Sequence, residues 1–343
     1  MSTEPIQHKI NWYRTPIDRD VLAALNQRSD ARGLLQTLGH LGLLVLSSAA
    51  AFYAVANGWT IALLAILFVH GTMYAFLLNG FHELCHSSVF RSKWLNALFL
   101  DVFSFLGGHN PVMFWASHQE HHKYTLHPPD DLEVVLPVKI TMENFWKYSF
   151  VNPWGLIDRT KGLLRLSRGI FVGEWEHHLF PANDPAKRQR LFNWARIMLV
   201  GHLLIVLLCI PLGLTLIPGL WLVPVLTTFA PFYGGLALFL CNNTQHVGLA
   251  DNLPDFRLCT RTIYLNSILR FLYWHMNYHI EHHMYAAVPC YNLAKLHAAI
   301  KHDLPHTPDG LREAWGVIIP ILKKQTVDPG YEFVPDLPRR ATA

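Results

Sequence analysis

Residues 33–90 read GLLQTLGHLGLLVLSSAAAFYAVANGWTIALLAILFVHGTMYAFLLNGFHELCHSSVF, 58 positions between Arg32 and Arg91 without a lysine or arginine. Two apolar runs, 34–56 and 61–81, fill most of it and are separated by Asn57-Gly58-Trp59-Thr60. Runs of 21 to 23 residues make roughly 32–34 Å of helix, enough for roughly 30 Å of hydrocarbon. The uncharged linker carries the helix-breaking residues that a tight turn between antiparallel helices needs. A second basic-free window of 60 residues separates Arg196 from Arg257, with apolar runs at 197–217 and 220–241 divided by Pro218-Gly219. The two windows predict four transmembrane helices in two hairpins.

Composition agrees with that reading. The 343 residues are 51% hydrophobic and only 15% charged, with a mean hydropathy of +0.20, too apolar for an ordinary soluble domain. A net charge of +4 makes no field for nucleic acid, so no nucleic-acid partner is expected. Because both windows lack Lys and Arg, the positive-inside rule puts the 57–60 and 218–219 turns outside. The N-terminus, the C-terminus and the segments 109–195 and 242–343 are then cytoplasmic. Trp59 and Trp221 fit the outer interface and Trp94 and Trp194 the inner one, with an ordinary core role equally open for each. The apolar stretch 95–107 is too short to cross and suits an interfacial or buried helix. Five cysteines without a CxxC pair read as reduced and buried, and no signal peptide is expected at the N-terminus. The expected organisation is a cytoplasmic N-terminal segment (1–33), one membrane-bound domain (34–304) and a cytoplasmic C-terminal tail (305–343).

Histidine is over-represented, with 21 copies, and three clusters stand out: His82-Glu83-Leu84-Cys85-His86, His118-Gln119-Glu120-His121-His122 and His279-Ile280-Glu281-His282-His283. All lie at the expected cytoplasmic ends of the spans. On a helix the i, i+4 and i, i+3, i+4 spacings keep the rings of each cluster on one face. Burying eight imidazoles beside a membrane without partners is costly, so metal binding is the expectation. One zinc takes only three or four protein ligands, so this many histidines implies two metals, and a nitrogen-rich pair of irons for oxygen chemistry fits best.

These clusters and the topology resemble the membrane-bound fatty-acid desaturase and hydroxylase superfamily, from about residue 34 to 289. The resemblance implies that His82, His86, His118, His121, His122, His279, His282 and His283 are iron ligands. That family completes its site with an NxxxH element after the last span. Here Asn242-Asn243-Thr244-Gln245-His246 has the spacing, which makes His246 a ninth ligand and Asn242 a water-linked one. The third box opens on His279 where front-end desaturases have Gln, and no HPGG haem motif is present. The run His283-Met284-Tyr285-Ala286-Ala287-Val288-Pro289 is similar to the family's HHxFPxxP, with Tyr for Phe and Ala for the first Pro.

Other polar residues stay open between two roles. Glu83, Glu120 and Glu281 point away from the metals on a helix and either orient an imidazole or form salt bridges; Asp101, Asp130 and Asp131 face the same choice. His275 reads as a neighbour of the site and the His177-His178 pair as surface. Inside the spans, His40, His70 and His202 are expected to be neutral and satisfied by backbone or hydroxyl groups.

The resemblance therefore implies an all-α integral membrane protein with a cytoplasmic helical cap carrying a histidine-rich di-iron site. Its implied activity is an O2-dependent oxidoreductase that desaturates the alkyl chain of a fatty acid or acyl lipid, with two iron ions as cofactor. Electrons come from an external donor of the ferredoxin, rubredoxin or cytochrome b5 type, since no flavin, haem or iron-sulfur motif is visible. Hydroxylation or oxidative decarboxylation at the same site is the alternative. A remoter one is an intramembrane zinc protease, because His82-Glu83-Leu84-Cys85-His86 is also HExxH; it leaves both HxEHH boxes unexplained.

Overall fold

The computed structural model describes residues 9–338, so the first eight residues of the expected N-terminal segment and the last five of the tail lie outside the described residues. Regular structure among the described residues is helical, with only isolated bridges. α1 (Arg19–Leu25) is capped by Asp18, which accepts from the Asp20 and Val21 amides. α2 (Asp30–Ala56) ends where Asn57 and Gly58 turn the chain; Gly58 has φ +69°, the left-handed conformation that glycine adopts without a Cβ penalty. α3 (Thr60–Ala75) packs back along α2, and α4 (Leu77–Cys85) continues it beyond a break at Phe76.

α4 is buried on nearly every side because it threads the core. Its Gly80 is needed there, since a Cβ would lie 2.4 Å from a Phe103 ring carbon and 2.6 Å from Trp274. Gly80→Val should therefore abolish recovery of monodisperse protein from detergent, measured by size-exclusion chromatography, whereas Gly42→Val, with nothing within 4 Å of its Cβ position, should behave as wild type.

α5 (Lys93–Gly107) packs on α4 and buries Phe99 and Phe103; at 15 residues it is the short, partly buried helix expected of this stretch. Asn110 then caps α6 (Pro111–Tyr124), with Pro111 at the favoured first position. The following polar layer contains α7 (Met142–Ser149), α8 (Pro153–Ser167) and α9 (Gly173–Leu179). α10 (Pro185–Thr215) is 31 residues long and starts at an Asp184 cap.

Among the described residues, three helical stretches are long and apolar enough to cross a bilayer: Asp30–Ala56, Thr60–Cys85 and Pro185–Thr215. Their apolar side chains stay largely on the outside, as lipid-facing helices require, and in α10 only 11% of the apolar window is buried.

The expected fourth span at 220–241 is not one helix. It divides into α11 (Leu222–Leu226), a 3-10 turn at Ala230–Phe232 and α12 (Leu236–Asn242). Pro224, Pro231 and Gly234-Gly235 cause the breaks, because proline lacks the amide an uninterrupted helix uses and the φ of Gly234 is +73°. The freed backbone groups find partners inside the protein. His70 Nε2 sits 2.9 Å from the Leu226 carbonyl, Thr72 donates to the Gly234 carbonyl at 2.9 Å, and the amides of Asn152 and Gly234 donate to Phe232 and Phe150. Irregular backbone at membrane depth is tolerated only when protein covers it in this way.

The histidines within the apolar runs are satisfied as expected. His40 lies between the Met73 carbonyl and the Trp274 indole, His70 also meets Ser47 Oγ, and His202 lies between Thr228 Oγ1 and the Phe105 carbonyl.

Five further helices complete the chain: α13 (Phe256–Cys259), α14 (Ser267–Leu272), α15 (His279–Met284), α16 (Leu293–Ile300) and α17 (Gly310–Val327). The largest apolar core joins Phe81 of α4, Phe103 of α5, Trp274, Ile280 of α15 and Leu296 of α16. The described residues near both ends of the chain pack on this body. Trp12 stacks on Phe256 at 4.1 Å, Tyr13 and Thr15 donate to Asp303, and α17 buries Ala314, Ile318 and Ile321.

Candidate metal centre

The first box sits on α4 and its C-cap, the second on the last turns of α6, and the third makes up α15. α15 lacks a capping side chain of its own. Thr262 substitutes by accepting the Ile280 amide at 3.2 Å while donating to Glu281 at 2.5 Å. His246 lies one turn beyond the end of α12, in a loop pinned by the buried Arg261, whose guanidinium donates to the carbonyls of Thr244 (2.7 Å) and Val247 (3.2 Å).

The nine histidines named from the sequence converge in two groups. His82, His86, His118, His122 and His282 form one, and His121, His246, His279 and His283 the other, with the nitrogens of each group within 4.8 Å of one another. Each HxEHH box is therefore shared. His118 and His122 join the first group while His121 joins the second, and in α15 His279 and His283 join the second while His282 joins the first. The groups adjoin, with the His122 and His283 rings stacked at 4.5 Å.

Which nitrogen faces inward follows from the outer partners. Nδ1 of His118 is 2.8 Å from Glu133 Oε1, Nδ1 of His121 is 2.8 Å from Asp131 Oδ2, and Nδ1 of His246 is 2.9 Å from the Cys259 carbonyl. Glu83 Oε1 lies 3.1 Å from Nδ1 of His82 and 3.4 Å from Nδ1 of His282. Carbonyls and carboxylates only accept, so Nδ1 of His82, His118, His121 and His246 carries the proton and Nε2 presents a lone pair, while Nδ1 of His279 and of His282 has no hydrogen-bond partner. Yet the Nε2 atoms face each other, at 3.1 Å for His118 and His86 and 2.9 Å for His246 and His279. Five and four ring nitrogens converging within 4.8 Å make two donor sets for cations. Metal–imidazole bonds of about 2.0–2.1 Å, as for zinc, at right angles put neighbouring nitrogens about 3.0 Å apart. The residues fit a pair of metal ions.

Charge within the site is consistent with metal binding. Burial, added to by neighbouring imidazoles, holds His118, His122, His279, His282 and His283 well below the usual imidazole range, and burial takes His246 to about 3. These rings stay neutral, the form that coordinates metals. His121 is the exception, because the Asp131 hydrogen bond and charge outweigh burial and raise it.

The open acids divide cleanly. Glu83 and Asp131 orient box histidines. Glu281 turns away and pairs with His297, and Glu120 makes no hydrogen bond to a box histidine. Asp131 also accepts the amides of Leu126 and Glu133, so it folds the loop that aims Glu133 at His118. Glu133 was not anticipated, since it lies 15 residues beyond His118 in a segment without periodicity; Ser117 steadies its other oxygen at 2.8 Å. Asn242 Oδ1 is buried without a hydrogen-bond partner, as are His82 Nε2 and His279 Nδ1. His275 is outside both groups, and His177 and His178 are exposed. Glu83 lies behind the ring of His82, not beside Nε2, which is not where a zinc protease needs its water-activating base.

A family model described as fatty acid desaturase matches residues 57–315. The chain belongs to the fatty acid desaturase family. No curated protein matches it. Membership gives this desaturase-family protein an oxidoreductase activity of the desaturase/hydroxylase type, a fatty acyl substrate and a membrane setting, to which its three long apolar helices correspond. The family is known for di-iron centres, and the two histidine groups are able to hold metal.

Proposed function

We propose that this desaturase-family protein is an O2-dependent di-iron oxidase that introduces a double bond into the alkyl chain of a fatty acid or acyl lipid. The observation that carries the reading is the convergence of nine buried or half-buried imidazoles into two adjoining groups of five and four. His82, His86, His118, His122 and His282 would hold one iron and His121, His246, His279 and His283 the other, with Asn242, whose buried Oδ1 has no hydrogen-bond partner, as an outer or water-linked partner. Two irons there supply O2 activation and the oxidising power for an unactivated C–H bond. Two hydrogens from adjacent carbons, O2, two electrons and two protons balance to a double bond and two waters. The electrons come from a separate ferredoxin, rubredoxin or cytochrome b5.

The chain's own residues bind, orient and keep the site dry. Glu83, Glu133 and Asp131 fix ring tautomers, while Phe114 stacked on His118 at 4.9 Å and Phe256 tilted against His283 at 5.4 Å wall out water. The acyl chain is assigned to two clefts of about 300 and 530 Å³ that share Gly108, Arg159, Leu163 and Met198 and lead from the lipid-facing α10 to Phe114 and Glu133. The basic-free windows support the expected orientation, with both termini and the site cytoplasmic. The 1–33, 34–304 and 305–343 division is retained as the domain proposal.

The test is expression in a host of defined lipid composition, with acyl chains profiled by mass spectrometry. New double bonds that disappear in His121→Ala support desaturation. New hydroxyl groups or terminal alkenes at comparable yield would move the assignment to hydroxylation or decarboxylation. No change in any acyl chain when a matched electron donor is co-expressed would refute it.

A further inference from the structure

A cavity of about 1050 Å³ shares no lining residue with the two clefts assigned to the acyl chain. It is a groove between the start of α7, the end of α12 and one side of α17. Its size is at the top of the roughly 300–1,000 Å³ of small-molecule pockets.

α17 carries two apolar stripes. Ala314, Ile318 and Ile321 face the core. Leu311, Trp315, Ile319 and Leu322 line the groove instead, at helical spacing. The opposite wall is Phe145 and Phe239, ring to ring at 5.8 Å. A solvent-facing helix has no use for a second such stripe, and a Trp among aliphatics with basic residues nearby is the pattern of a helix lying in a membrane interface. The adjoining surface agrees: Trp146 and Trp154 are 56% and 60% exposed, as in the aromatic belts of membrane proteins.

Charge is one-sided. Lys139, Arg312 and Lys323 line the groove, no acidic residue does, and among the described residues none of the three is in an ion pair. A concave apolar surface with three unneutralised cations is complementary to an anionic amphiphile. We propose that this groove holds one anionic phospholipid of the surrounding bilayer, its acyl chains along Phe239, Trp315 and Ile319 and its phosphate among Lys139, Arg312 and Lys323. Phospholipid is favoured over a single-chain acid by the groove's size and by its place among exposed interfacial aromatics.

The experiment is native mass spectrometry of the full-length protein in detergent, titrated with phosphatidylglycerol or phosphatidylcholine of identical chains. One phosphatidylglycerol should bind per chain in preference to phosphatidylcholine, and the combined Lys139→Gln, Arg312→Gln, Lys323→Gln variant should bind it roughly 100-fold more weakly. Equal binding of the two lipids, unchanged binding by the triple variant, or displacement by oleate at equimolar concentration would overturn the proposal. If the variant fails to fold, wild type is photolabelled with a diazirine-tailed phosphatidylglycerol in nanodiscs. Crosslinks within 137–145 and 311–326 support the groove; crosslinks confined to α2 and α10 refute it.

Discussion

His121→Ala is expected to abolish turnover and to lower iron from near two per chain toward one, while membrane insertion and helical circular dichroism stay close to wild type. The asymmetry of the two groups sets this expectation. The His121 group has four nitrogens, so the variant leaves three, whereas the other group has five. His282→Ala should also lose turnover but retain more iron, because four imidazoles remain. Iron by inductively coupled plasma mass spectrometry on detergent-purified protein, alongside acyl-chain analysis, checks both. Full activity in either variant would sink the assignment, as would equal iron loss in the two.

Asp131→Asn carries the second large effect although Asp131 touches no metal position. Its carboxylate is fully buried and accepts from His121 Nδ1 and from the amides of Leu126 and Glu133. Losing the charge frees the His121 ring and loosens the loop that aims Glu133 at His118, so one substitution weakens both groups. Removing an outer partner of a metal-bound histidine costs about 10- to 100-fold in metal affinity. Competition against a chelator should show a loss of at least that size in Asp131→Asn and none beyond twofold in Glu120→Gln, whose carboxylate bonds to no box histidine. Equal behaviour of the two would remove Asp131 from the site.

Much of this candidate site was legible because histidines at helical spacing leave a periodic trace. The nine rings and Asn242 followed from three boxes and one NxxxH element, and the packing brings all nine rings together. Their division into five and four was not legible. The i, i+3, i+4 spacing shows that His118, His121 and His122 share an arc, but only the packing of α4, α6 and α15 shows that the middle histidine of each HxEHH box crosses to the other group. Asp131 and Glu133 were obscure for another reason: they sit in an irregular loop, where no period marks which way a side chain points. The breaks in the fourth apolar run were not legible because hydropathy weighs the apolar side chains of 220–241 and ignores what Pro224, Pro231 and Gly234-Gly235 do to the backbone. His70 and Thr72 were visible as polar residues in an apolar run, yet their partners lie some 160 residues away.

The interrupted 220–241 segment also bears on how the protein responds to its bilayer. Hydrophobic mismatch is accommodated by tilting helices that span the lipid, and the unbroken candidates here are α2, α3 with α4, and α10. The first box rides on α4, and the segment that delivers His246 is fastened to α3 through His70 and Thr72. A thicker or thinner membrane that tilts α3 therefore carries the first box and the His246 segment together. An unbroken fourth helix would have tilted by itself and dragged His246 away from His279.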